Sequence, residues 1–160
     1  MDEEFDIEVE VAVDDPDWLK AEPGAEQLVA TAAAAALERL PRDTTVTSLV
    51  VLLSGDEQVQ DLNGRFRGKD APTNVLSFPA PSTAGGHLGD VILALGVCQR
   101  EAREQRKSLA HHLQHLTAHG VLHLLGYDHE TDAEADSMEA LERAILAELG
   151  VPDPYAERGA

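Results

Sequence analysis

Three histidines fall within the eleven residues HGVLHLLGYDH, 119–129. His119 and His123 are four residues apart, so on a helix both rings share one face, one turn above the other. Gly126 is a natural helix stop. Past it the chain turns, and His129 approaches the same point from a loop. Three imidazoles gathered in this way suit Zn²⁺, with nitrogen distances of about 2.0–2.1 Å. They are neutral, so one ion per chain would keep its full charge and an open position for water, whose pKa such sites lower to about 7. A histidine pair at this spacing alone reads equally well as a helix surface. The third ring beyond the glycine break is what points to metal. His111 and His115 extend the stripe. His115 fits a fourth ligand, a group behind a ligand, or a substrate contact. A fourth imidazole would close the site, so a non-ligand role is expected. His111 and His112 read as surface.

Gly120 narrows the chemistry. The pattern HExxHxxGxxH has the same ligand spacing and belongs to zinc proteases, in which the glutamate after the first histidine is the general base. Here that position is glycine, which has no side chain to take a proton. The spacing preserves the metal geometry and removes the base, which argues against a peptidase of that type.

The segments that must position these residues follow from periodicity. Residues 5–13, FDIEVEVAV, alternate apolar and acidic side chains, as a strand with one wet face does. An Ala/Leu-rich helix is expected from Ala25 to Leu40, before Pro41. Residues 45–53, TVTSLVVLL, read as a central strand. Ser54 with Glu57 reads as a capping box for a short helix through Phe66. RGKDAPTNVLSFP, 67–79, opens as a loop and ends in a short strand stopped by Pro79. HLGDVILAL, 87–95, is a further strand, and helices follow over 96–107 and 108–125. Thr131 with Glu134 opens a last helix that runs to Leu149, ahead of Gly150 and Pro152. With no repeat and no long linker, residues 1–160 are expected to form one α+β domain, with a small mixed sheet of about four strands against several helices.

Composition agrees with a folded globule: 43% hydrophobic, with only 4% aromatic residues, so an aliphatic, alanine-rich core is expected. No apolar run is long enough to span a membrane. The acidic start MDEEFDIEVE lacks the order of a secretory signal. Cys98 is the only cysteine, it reads as buried packing, and no internal disulfide can form. These features lead us to expect a cytoplasmic protein. The net charge of −18 argues at first against nucleic acid, but it is unevenly spread. Residues 65–129 hold seven basic and five acidic residues, a net of +2, together with all seven histidines. The middle of the chain can meet an anion that the rest would repel.

HGVLHLLGYDH, RGKDAPTNVLSFP and GDVILAL (89–95), in this order and spacing, closely resemble the signature blocks of the YbeY family of bacterial endoribonucleases, the rRNA maturation factors. The resemblance covers residues 45–150. It implies a zinc-dependent endonuclease that prefers single-stranded RNA and acts in small-subunit rRNA 3′-end maturation and ribosome quality control. The implied partners are single-stranded RNA, rRNA and ribosomal subunits, together with positioning proteins that would also relieve the charge problem. By motif match His119, His123 and His129 are the metal ligands and Arg67 is the functional, catalytic arginine. Its planar fork suits a bidentate grip on phosphate. Arg65 and Lys69 would add unspecific attraction to the RNA backbone, with His115 as a further substrate contact. Read without the resemblance, Arg67 is better explained as an ordinary loop cation paired with Asp70 or a distant acid. No general base is evident: Asp128 adjoins a ligand but serves equally to cap the turn. Asn74 and Ser77 could face the cleft but read better as satisfying backbone groups near the strand ends, and Asp90 reads equally as holding a histidine ring or as a turn residue. Two rivals are a metallopeptidase-like hydrolase with its base from elsewhere and a non-catalytic ribosome-binding protein with structural zinc. Structural sites are usually closed by four ligands, which counts against the second.

Overall fold

Apolar, β-branched segments pair at the centre of the molecule. In the computed structural model, which describes residues 7–41, 43–81, 83 and 85–155, β1 (Glu8–Val13), β2 (Ser48–Ser54), β3 (Val75–Pro79) and β4 (His87–Ala94) form one sheet in the order β1-β2-β4-β3. β1 with β2 and β2 with β4 run parallel, whereas β3 pairs antiparallel with β4 at the sheet edge. The expected mixed sheet of four strands is present, and the fold is α+β. Residues 5 and 6 of the first expected strand lie outside the described residues.

Among the described residues six helices accompany the sheet: α1 (Asp17–Ala21), α2 (Ala25–Leu37), α3 (Asp56–Arg67), α4 (Leu95–Glu104), α5 (Leu109–Leu124) and α6 (Asp132–Glu148). The main core lies where α2, α5 and α6 meet one sheet face, and it includes Val29, Leu49, Val51, Leu53, Leu122 and Ile145. Alanines 32, 33, 35 and 36 are buried on α2; their small side chains let α5 approach closely. A smaller cluster of Val59, Leu76, Ile92 and Ala94 fills the opposite face beneath α3. β3 thus has two working faces, because successive strand residues point to opposite sides. Val75 and Ser77 meet α5, while Leu76 and Phe78 meet α3.

Several expectations need correction, and one helix was not expected. The Ser54–Glu57 capping box does not form: Ser54 ends β2, Gly55 is the N-cap, and no side chain caps α3. The Ser54 hydroxyl instead donates to Asp14 at 2.9 Å, and its carbonyl accepts from the Trp18 indole at 2.7 Å. Pairing across the sheet has claimed a residue that local sequence assigned to a helix. Trp18 itself is carried on α1, a five-residue helix that periodicity did not reveal. The helix beginning at Ala25 closes at Leu37 rather than Leu40. His112 is buried, not surface, because α5 is covered on more than one side. Cys98 is fully buried, as expected, and its thiol is pushed well above the usual range, first by burial and then by Glu101 and Asp56.

Candidate metal centre

α5 is the platform. Ser108 caps its start by accepting the His111 N–H at 3.0 Å. At the other end Gly126 takes φ 105°, a left-handed conformation that glycine adopts without strain. Its N–H bonds to the His123 carbonyl at 3.0 Å, and the Tyr127 N–H reaches back to Leu122 at 3.1 Å. This pair of bonds is the Schellman closure, and it reverses the chain immediately after His123. Asp128 then accepts the His129 N–H at 2.8 Å and holds the returning turn. The Thr131–Glu134 capping box is present and starts α6.

The reversal brings the three rings together. One nitrogen from each of His119, His123 and His129 lies within 4.8 Å of the others, an arrangement that can hold a metal ion. Ring centroids are 4.6 Å apart for His119–His123, 5.1 Å for His123–His129 and 5.7 Å for His119–His129. Burial, followed by the neighbouring His119 and His129, lowers the pKa of His123 and so favours the neutral ring that a metal requires.

One residue of this site was missed from sequence. Glu142, on α6, is 1% exposed. Its carboxylate meets His119 Nδ1 at 2.6 Å and His115 Nε2 at 2.8 Å, and it also accepts from the Tyr155 hydroxyl. Burial alone would raise this carboxyl. The hydrogen bonds from His115 and His119 outweigh it, with help from His119 charge and Tyr155, and lower the pKa to about 2. An ionised carboxylate only accepts, so both imidazole nitrogens facing it carry protons. With Nδ1 turned to Glu142, a His119 ring in its neutral form carries its proton there and keeps the Nε2 lone pair for a metal. A carboxylate behind a metal-binding histidine is the usual support for such sites. The donor set therefore fits a divalent ion. The signal in the sequence was an acid on the apolar stripe of a helix: Glu142 lies four residues after Met138 and three before Ile145, both buried.

The remaining expected residues are placed as follows. His115 lines a cleft of about 920 Å³ that reaches His119 and is bounded by the 105–108 turn and residues 151–155. Its Nε2 faces Glu142, and its Nδ1 is buried without a partner. Arg65, Arg67 and Lys69 are exposed at the C-terminal end of α3 and just beyond it. Arg67 is the last helical residue rather than the first of a loop. Among the described residues nothing occupies its guanidinium, and Asp70 instead accepts from Gln60 at 3.0 Å. Arg65 makes an exposed pair with Asp61 at 3.3 Å. Asp90 holds the His87 ring at 2.9 Å. Ser77 donates to the Gly120 carbonyl, and Asn74 joins the Val75 N–H to Glu101.

The glycine at 120 now has a physical reason. It is buried where α5 crosses the sheet. A Cβ there would stand 2.8 Å from Val91 Cγ1, 3.2 Å from Ser77 Oγ and 3.3 Å from Val75 Cγ2. A glutamate would be driven into the core rather than toward the metal.

Fold and site together define a small α+β domain with a three-imidazole group at a helix end, backed by a buried carboxylate. The chain belongs to the Endoribonuclease YbeY family, whose model matches residues 14–150. It is 49% identical over 148 residues to "Endoribonuclease YbeY" of Nitrobacter winogradskyi, covering 88% of this chain and 78% of that one. Identity to the protein of the same name from Maricaulis maris is 52% over 147 residues, covering 92% and 91%. The solution structure of TM1509 from Thermotoga maritima shares the fold, with a TM-score of 0.56, 23% identity, and coverage of 88% of this chain and 91% of that one.

Proposed function

We propose that this chain is a zinc-dependent endoribonuclease, a single metal-dependent hydrolase domain that cuts single-stranded RNA. Its place is small-subunit rRNA 3′-end maturation and ribosome quality control in the cytoplasm, acting on rRNA and ribosomal subunits with partner proteins to position it. The observation that carries this reading is the convergence of His119, His123 and His129 within 4.8 Å in a chain of this family.

His119, His123 and His129 hold the ion, and Glu142 keeps the His119 ring turned toward it. When bound, Zn²⁺ supplies polarisation of a phosphoryl oxygen and acidification of water. Arg67, exposed and without a competing carboxylate among the described residues, grips the phosphate beside the cleavage point through paired N–H donors. Arg65 and Lys69 attract the flanking backbone. His115 contributes a wall of the cleft next to His119 and contacts substrate there.

Purified protein incubated with single-stranded RNA and with casein, each with and without chelator, tests the proposal. RNA is expected to be cut only with metal, and casein to remain intact. Arg67→Ala is expected to slow cleavage roughly 10- to 100-fold, the value of a hydrogen bond to a charged group, with zinc affinity unchanged. RNA cleavage that persists in chelator, or casein cleavage, would overturn it. No peptidase reading is favoured, since the position of the missing base has no room for a side chain.

A further inference from the structure

The C-terminal end of α3 carries an apolar surface that the proposed chemistry does not use. Phe66 is 66% exposed, the only large hydrophobic side chain so exposed among the described residues. A single exposed apolar residue is ordinary; its surroundings here are not. Arg65 and Arg67 flank it and Lys69 follows, all exposed, in a chain of net charge −18. The Arg65–Asp61 pair is exposed at both ends, and such pairs are weak and readily exchanged. Gly68, at φ 73°, ends the helix and leaves these side chains on a terminus rather than within a packed surface. The Phe66 ring meets Phe78 edge-on, with centroids 5.6 Å apart and planes at 66°. Phe78 packs on the small core cluster. Phe66 is therefore steadied from beneath, and most of its ring remains open to solvent.

Its position relative to the histidines follows from β3, the sheet's edge strand. Phe66 reaches the Phe78–Pro79 end of that strand from the α3 face. From the other face comes Leu124, the residue after His123. A Cβ built on Gly89, the partner of Pro79, would stand 2.5 Å from the Phe78 carbonyl oxygen and 2.9 Å from Leu124 Cδ2. The C-terminal ends of α3 and α5 thus meet the same end of the edge strand from opposite sides. One side offers an aromatic ring among cations, and the other offers the metal-binding trio.

We propose that Phe66 is a stacking platform for an unpaired base of the RNA, whose backbone passes the Arg65, Arg67 and Lys69 cations and rounds the edge of β3 to reach the histidine cluster. This rests on the endoribonuclease reading and adds a base-binding position to it. Stacking of a base on an aromatic side chain is tolerant of sequence, because every base has a π-face. It also needs a base free of its own stack, so the platform selects single strands over duplex. Cations on either side supply the phosphate contacts that a lone aromatic cannot.

The test measures binding of labelled single-stranded and duplex RNA to metal-free full-length protein, so that no cleavage intervenes. Phe66→Ala is expected to weaken single-strand binding roughly 5- to 150-fold, the range for loss of one stacked base, and to leave duplex binding unchanged. Phe66→Trp is expected to bind single strands at least as well as the native chain. Its indole fluorescence should be quenched on binding, while that of buried Trp18 in the native chain should not. Native affinity in Phe66→Ala, or an unquenched Phe66→Trp that still binds, would overturn the platform and leave the nuclease reading standing; the surface would then serve a protein partner. Absence of RNA binding and cleavage by the native chain would overturn both.

Discussion

Glu142→Gln changes the chemistry of the site while barely changing its volume. In the native chain both carboxylate oxygens accept: one from His119 Nδ1 at 2.6 Å, the other from His115 Nε2 at 2.8 Å and from Tyr155. Glutamine retains one acceptor oxygen and turns an NH₂ group toward one of the two imidazole N–H groups. Either a hydrogen bond to a charged acceptor is lost, about 1.5–3 kcal/mol, or His119 moves its proton to Nε2, the nitrogen the metal needs. Both routes weaken metal binding, and loss of a carboxylate behind a histidine ligand typically costs about 10- to 100-fold in affinity. For a chain of this size a loss of about 2 kcal/mol also lowers Tm by about 4–8 °C. Zinc affinity is measured by competition with a chromophoric chelator at pH 7, and apo-protein stability by thermal melting in excess chelator. Asp136→Asn, an exposed change on the same helix, is the control and should alter neither. Glu142→Asp, which keeps the charge, should recover part of the zinc affinity. Zinc binding by Glu142→Gln within twofold of the native chain would refute the claim that this carboxylate orients His119.

Zinc at about 100 times its Kd should stabilise the folded chain by about 2.7 kcal/mol, a Tm rise of about 5–10 °C. The rise should vanish in chelator and in His119→Ala, His123→Ala or His129→Ala, as read by melting with and without metal. Gly120→Ala should cost about 1–3 kcal/mol through overpacking against Val91 and Ser77, offset in part by the better helix propensity of alanine, about 1 kcal/mol. Urea titration measures the difference, and Gly120→Glu should fail to yield folded protein. Burial, opposed by the Glu101 hydrogen bond, holds the His112 pKa below its ordinary 6.5. The unfolded chain therefore binds protons first as pH falls below about 6.5, and stability declines from there downward. Replacing His112 with glutamine should flatten this decline in melts of the chelated protein between pH 5 and 8.

Local signals in the chain proved reliable where the interaction they describe is itself local. The Thr131–Glu134 box and the Gly126 stop depend on residues within one turn of each other, and both are present. The same reasoning placed a helix cap at Ser54 and failed, because Asp14 and Trp18 reach that residue from forty and thirty-six positions away. The histidine trio could be anticipated because its spacing spans one helical turn and one reversal. Its carboxylate could not be found by spacing, because Glu142 sits on another helix in a segment full of acids. Only its place between Met138 and Ile145 on a buried stripe marks it out. His112 was misread for a related reason. Periodicity indicates which residues share a face, but not how many faces of α5 the surrounding helices and sheet will cover.

Placing that carboxylate on α6 has a consequence in time. A ribosome makes this chain from its N-terminus, so all three imidazoles emerge before the glutamate that aligns them. A released chain ending within residues 130–141 would carry all three imidazoles yet lack the carboxylate behind His119, and is expected to hold a cation more weakly. Full metal affinity is therefore expected only once α6 has been made and Glu142 has docked behind His119.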